Sequence, residues 1–184
     1  GASGAMTINY NTTVGYKNAT DLVQMANSSE YANYVGQATG NSVTNPGFST
    51  DWYDQILRGA WYQSHGLSLS GGSDKMTYFL SGGYIEDQGI VIDNKFRRLN
   101  LRTNLDFKIN KMVKTGIITN FSNINNKRVN LGTAYNNAYR AAPIIQAKEN
   151  GRYGNTSSYQ NVGNPILDIE NNNARSYGNR IQAT

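Results

Sequence analysis

The sequence predicts an all-β fold: a transmembrane antiparallel up-and-down β-barrel segment of about five strands plus the start of a sixth, with short helices in long extracellular loops. Three observations lead there. Apolar and polar residues alternate with period two over unusually long runs, very short turns alternate with long insertions, and the composition is polar without being charged. Only 16% of the 184 residues are charged, against roughly 25% in ordinary globular chains. Their place is taken by 26 Asn, 19 Gly and 13 Tyr together with Ser and Thr. Thr and Tyr suit strands, Asn and Gly suit turns.

The first run places Ile8, Tyr10, Thr12, Val14 and Tyr16 opposite Thr7, Asn9, Asn11, Thr13 and Gly15. A second sets His65, Leu67 and Leu69 against Gly66, Ser68 and Ser70, and Gly71 to Lys75 supplies a tight turn. Met76, Tyr78, Leu80, Gly82 and Tyr84 share a face of the third run, whose other face mixes Phe79 and Ile85 with Thr77, Ser81 and Gly83. The fourth run is the clearest, with Leu99, Leu101, Thr103, Leu105, Phe107 and Ile109 alternating with Asn100, Arg102, Asn104, Asp106 and Lys108. After Asn110-Lys111 the fifth run alternates Val113, Thr115, Ile117, Thr119 and Phe121 with Lys114, Gly116, Ile118, Asn120 and Ser122. Runs of about ten residues exceed the five or six usual in globular sheets and match the 9–11 or so that cross a bilayer as tilted strands. Arg180 to Thr184 reads as the beginning of a sixth strand.

Two long insertions break the pattern, one between the first and second runs and one after the fifth. Helical spacing of Leu22, Met25 and Ala26 predicts a helix from Asp21 to about Val35, with Thr20 as its cap. A short helix is expected over Asp51 to Arg58, capped by Thr50 or Asp51, and another over Thr133 to Ala142. Strand direction puts both insertions at one end of the sheet and the short turns at the other, which is the asymmetry of outer-membrane barrels. Five strands alone would leave two open edges and an uncovered apolar face, so the remaining strands are expected from further chain. Residues 1–6 read as a linker or tag, and 7–184 as the N-terminal part of a barrel.

Without cysteine there is no disulfide framework, zinc knuckle or thiol chemistry. No apolar run reaches the 18 or so residues of a membrane helix. The net charge of +5 is dispersed; Lys95, Arg97 and Arg98 form its densest cluster, which reads as a strand end facing water or lipid headgroups rather than as a nucleic-acid patch. Catalytic residues are not expected. His65, the single histidine, lies within a strand, and no nucleophile elbow is present. No cofactor and no metal are expected: Asp168-Ile169-Glu170-Asn171-Asn172 resembles a calcium loop, but Asn173 stands where Gly is wanted and Asn179 where Glu is wanted. Trp52, Tyr53, Trp61 and Tyr62 flank the short helix and suit either an aromatic girdle or packing against a barrel rim, with packing favoured.

Several segments in register resemble the SusC/RagA-type TonB-dependent transporters. They are Thr50 to Arg58 (TDWYDQILR), His65 to Gly72 (HGLSLSGG), Thr77 to Tyr84 (TYFLSGGY), Asp87 to Val91 (DQGIV), Phe96 to Asp106 (FRRLNLRTNLD) and Asn164-Pro165-Ile166. The resemblance runs from about Thr7 to the end. It implies a barrel of about 22 strands with a plugged lumen, an outer-membrane importer of glycans or peptides. It also implies as partners the remainder of the barrel and plug, a SusD-like surface lipoprotein, TonB acting through the plug region, and the lipid bilayer. Tyr153, Tyr159 and Tyr177, in the Tyr- and Asn-rich second insertion, are the candidate ligand-binding residues; packing against a lipoprotein accounts for them equally well. The alternative is a soluble or surface β-rich glycan-binding or adhesion module. Its apolar strand faces would be covered, which makes exposure of Leu101, Leu105 and Phe107 the discriminating observation.

Overall fold

A computed structural model describes residues 4–171 and 174–184. Positions 1–3 of the expected linker, and Asn172 and Asn173 of the calcium-like sequence, lie outside the described residues.

Six strands form one antiparallel sheet: β1 (Gly4–Lys17), β2 (Ala60–Gly72), β3 (Met76–Gln88), β4 (Lys95–Lys108), β5 (Lys114–Arg128) and, after a two-residue-per-strand hairpin of β6 (Lys148–Glu149) and β7 (Arg152–Tyr153), β8 (Ala174–Ala183). Their spatial order is β1-β2-β3-β4-β5-β8. Each strand therefore pairs with its neighbour in sequence, the small hairpin aside. The sheet does not close, so β1 and β8 remain edges.

The turns follow from their residues. Between β2 and β3 the Ser73 amide donates to the Met76 carbonyl at 2.7 Å. A Cβ on Gly72 would stand 2.5 Å from that carbonyl oxygen, so only glycine fits where the backbones come together. Between β4 and β5 the Asn110 side chain accepts from the amides of Met112 and Val113, both at 2.8 Å. Both turns lie at one end of the sheet.

The insertions build a helical layer at the other end. The first helix, α1 (Ser28–Thr39), starts seven residues later than the spacing of Leu22, Met25 and Ala26 suggests. Asn27 rather than Thr20 caps it, in a capping box closed by Glu30. Asn27-Ser28-Ser29-Glu30 is the signal that apolar spacing alone passes over, while Asp21, at φ 54°, breaks the helix expected upstream. The second helix, α2 (Trp52–Ile56), is capped by Asp51 as expected. Next comes α3 (Leu131–Arg140), capped by Asn130, then the short α4 (Ser157–Gln160) and α5 (Pro165–Asn171).

The final strand begins at Ala174, six residues before the expected Arg180. Its Asn-, Arg- and Ser-rich start carries no alternation to read, and pairing with β5 from Arg128 onward is what makes it a strand.

The principal core is in the helical layer. Trp52, Ile56, Val91, Val129, Ala134, Ala138, Ala141, Ile166 and Ile169 are buried against one another. They come from both insertions and, through Val91, from the β3–β4 connection on that side. A second cluster joins Tyr31 of α1 to Ala142 and Ile144. Both insertions thus share one end, as strand direction requires.

Candidate functional site

Along every strand successive side chains point to opposite faces, and the register extends the two faces across all six strands. One face carries Ile8, Tyr10, Leu69, Leu67, Leu80, Tyr84, Leu99, Leu101, Leu105, Phe107, Ile117, Phe121 and Ile181. It is not covered: Leu101 is 48% exposed, Ile117 49% and Tyr10 62%, while Leu105 and Phe107 are partly buried. The other face carries Asn9, Asn11, Ser68, Ser81, Asn100, Arg102, Asn104, Asp106, Asn120, Ser122, Arg180 and Gln182. There the polar groups bond to each other, Ser122 Oγ to Asn100 Oδ1 at 2.8 Å and Arg102 Nε to Asn104 Oδ1 at 3.3 Å.

The apolar region on the first face is a slanted band. One register row crosses the whole sheet: Val14, Gln63, Glu86, Arg97, Asn125 and Tyr177. On β1 the apolar residues run past this row to Tyr16, two residues nearer the helical layer. On β3 and β4 they stop two residues short, at Tyr84 and Leu99. On β5 and β8 they stop four residues short, at Phe121 and Ile181, with Tyr177 isolated beyond. The border thus shifts by six residues across five strand-to-strand steps, about 20 Å along the strands for about 24 Å across them. The band is inclined to the strands at an angle equivalent to a strand tilt of about 40°. From Leu99 to Phe107 it covers about 27 Å of strand, or about 20 Å along the normal at that tilt.

Residues at the border are aromatic or amphipathic. Trp61 is 53% exposed and meets Tyr16 edge-on, with ring centroids 5.0 Å apart. Trp52 is instead buried, and its Nε1 donates to the Ala142 carbonyl at 3.1 Å. The four aromatics around α2 therefore divide. Trp52 and Tyr53 pack in the helical layer, Trp61 stands on the apolar face, and Tyr62 stands on the polar one. His65 also lies on the apolar face, where Nδ1 sits 2.9 Å from the Tyr10 hydroxyl and 3.0 Å from the Thr12 hydroxyl.

Beyond the band the same face is charged. Glu86 Oε1 lies 2.7 Å from Lys95 and Oε2 2.7 Å from Arg97, and the carboxylate also accepts from Tyr84 and Gln88. Alternation divides the sequence cluster, since Arg98 points to the other face. Register brings in Lys127 and Arg175 in its place.

The three candidate tyrosines stand in three different elements. Tyr153, in β7, packs against the helical core, donates its hydroxyl to Glu170 and lies beneath Lys148, whose Nζ is 4.6 Å from the ring centroid. Lys148 also pairs with Glu170 at 2.8 Å. Those contacts hold the Glu170 carboxyl below its ordinary value, the Lys148 hydrogen bond first and the Tyr153 bond second. Tyr159, on α4, is 46% exposed. Tyr177 is on β8 rather than in a loop, opposite Asn125 on the apolar face. Of the calcium-like residues, Asp168 and Glu170 belong to α5, and Asp168 accepts from Asn137.

The Asn164-Pro165 pair has a structural role that its sequence position alone does not disclose. Asn164 is buried, donates to the carbonyls of Ala147 and Gly154 at 3.1 and 3.0 Å, and accepts from the Ile166 amide at 3.0 Å. Proline at the first position of α5 forfeits no helical bond. The pair therefore ties the small hairpin to α5.

Against known proteins, the chain is 30% identical over 162 residues to the TonB-dependent receptor SusC of Bacteroides thetaiotaomicron, an alignment covering 86% of this chain and 16% of that protein. It is 31% identical over 117 residues to TonB-dependent receptor P3 of Formosa agariphila, covering 64% of this chain and 12% of that one. The chain belongs with the SusC/RagA-type TonB-dependent transporters. It spans about one sixth of the SusC length. The fold agrees with that of the family: the RagAB peptide importer in its 'closed-closed' state superposes with a TM-score of 0.56 at 19% identity, over 70% of this chain and 19% of that chain. The 'open-open' state gives a TM-score of 0.55 at 20% identity, over 68% and 18%. No family model matches the chain.

Proposed function

We propose that residues 7–184 form the N-terminal part of the barrel wall of an outer-membrane TonB-dependent importer, with residues 1–6 a linker or tag. The observation that carries this reading is the slanted apolar band. A sheet of tilted strands crossing a bilayer must keep its lipid-facing residues at one depth, not in one register row. The tilt of about 40° falls within the 35–45° of outer-membrane barrels, and the height of about 20 Å approaches their apolar band of about 25 Å. A soluble sandwich would instead cover Leu101 and Ile117 with a second layer. On this reading the aliphatic face meets lipid, the Asn- and Ser-rich face lines the lumen, and the helical layer lies at the extracellular mouth.

The family supports a division of labour with parts outside this chain: a plug contacted by TonB, and a SusD-like lipoprotein at the mouth. The cargo is a glycan or a peptide; the name of the RagAB relatives supports the peptide class. Of the three candidate tyrosines, Tyr159, exposed within the helical layer, is the one best placed to meet cargo or lipoprotein there.

The test is uptake by cells producing the whole transporter, with fluorescent oligopeptides and oligosaccharides offered separately. Uptake of one class is expected to require both the transporter and TonB. Uptake of neither, together with recovery of the protein in the soluble fraction, would overturn the assignment.

A further inference from the structure

The charged end of the aliphatic face contains a cleft of about 190 Å³ lined by Lys95, Arg97, Asn125, Lys127, Arg175 and Tyr177. Four cationic side chains from three strands line it, and two carboxylates answer them: Glu86 is shared by Lys95 and Arg97, and Asp93 pairs with Lys127 at 2.8 Å. The local balance is therefore +2. We infer that this cleft holds the phosphate of an anionic glycolipid of the outer leaflet whose acyl chains lie on Leu99, Leu101, Phe121 and Ile181. The inference rests on the membrane reading of this face and adds a ligand to it.

Position and charge carry the argument. Arg97 follows Leu99 by two residues on β4, and Tyr177 precedes Ile181 by four on β8. The cleft therefore begins about 7–13 Å along the strands beyond the last aliphatic residue, where headgroups replace acyl chains. A phosphate monoester carries about −1.5 to −2 charges near neutral pH, which complements a site of +2. Lys and Arg from separate strands can then surround one anion, Arg175 and Arg97 as planar forks and Lys95 and Lys127 as point charges. Asn125 and Tyr177 add amide and hydroxyl groups, and an aromatic ring, of the kind a sugar ring requires. A peptide or a nucleic acid would give no reason for the aliphatic continuation below the cleft. An amphiphile does.

The experiment uses the whole transporter, purified in detergent, with Lys127→Gln/Arg175→Gln as the variant. These two side chains are chosen because neither touches Glu86, so the β3–β4 network is left in place. Native mass spectrometry would follow retention of doubly phosphorylated lipid A, enzymatically dephosphorylated lipid A, and inorganic phosphate. The wild type is expected to retain the phosphorylated lipid in preference to the dephosphorylated one. The variant should lose about tenfold or more of that affinity, at roughly 1 kcal/mol per basic residue near a lipid headgroup. Heat-modifiable gel migration checks that the variant barrel is assembled. Equal retention of both lipids, or an unchanged affinity in the variant, overturns the inference, as does displacement of the lipid by inorganic phosphate alone. A spin label on Leu101→Cys in vesicles separates the two levels. A label in contact with lipid alongside no phosphate preference removes only this inference, and a water-exposed label removes the membrane reading itself.

Discussion

Trp52 Nε1 donates a 3.1 Å hydrogen bond to the carbonyl of Ala142, ninety residues further along the chain. This bond and the two from Thr50, to the carbonyls of Pro143 at 2.8 Å and Ile145 at 2.7 Å, stitch the first insertion to the second. The indole is buried among Ala138, Ala141 and their neighbours, so it supplies both packing and a directed contact.

Trp52→Ala is therefore expected to cost the helical layer about 3–5 kcal/mol. Trp52→Phe should cost about 1–3 kcal/mol, chiefly from leaving the Ala142 carbonyl without its donor. Hydrogen exchange on the whole transporter checks this. Amides of α2 and α3 should lose protection while those of β3 and β4 keep it. Uniform loss through the sheet would mean that the layer and the barrel unfold as one unit.

Leu101 and Arg102 are neighbours with opposite surroundings. Leu101→Arg should hinder assembly by about 2–4 kcal/mol, the cost of a charge near the bilayer midplane, whereas Arg102→Gln should be tolerated. Equilibrium folding of the full barrel into lipid vesicles measures both. Equal tolerance of the two would contradict the assignment of faces.

Expressed by itself, the 184-residue chain should not fold in plain buffer. It presents the two open edges β1 and β8 together with the uncovered aliphatic face. Aggregation, or solubility only in detergent, is expected in sedimentation. A monomeric species with a cooperative melt would support the soluble module instead.

The Lys148–Glu170–Tyr153 group gives a pH dependence of known sign. Glu170 has its pKa lowered from 4.5, so its contribution is full above that value and is lost as pH falls through the folded value. Lys148 has its pKa raised from 10.5, mainly by its bond to Glu170, so its contribution is present below 10.5 and lost as pH rises through the folded value. Protection of the β6–β7 hairpin should be flat across neutral pH and fall in acid. Glu170→Gln should abolish the acid limb. An acid limb that survives this substitution would place the titrating group elsewhere.

Deleting Gly151 to Gly163 should impair uptake or lipoprotein docking while leaving the barrel assembled. Because Thr156 and Val162 are buried within that stretch, Tyr159→Ala is the milder companion, with an exposed ring removed and no core disturbed. Wild-type uptake and docking in both variants would leave the segment without a part in capture.

The sequence by itself determined the first five strands, their two faces and the short turns, because alternation is local and a one-residue slip would turn Leu101 and Arg102 to the wrong sides; the start of β8 at Ala174, which carries no alternation, was decided by pairing with β5. It also determined the end of the sheet at which both insertions emerge, since strand direction alone decides that. Cap chemistry was present at Asn27 and Glu30 but lay beneath a misleading apolar spacing upstream. Only the tertiary structure decided what depends on register between distant segments. It brought Lys127 and Arg175 beside Lys95 and Arg97, moved Tyr177 from a loop onto β8, and separated buried Trp52 from exposed Trp61. The slant of the apolar band belongs to the same class. It is a relation among six strands, and no single run of residues contains it.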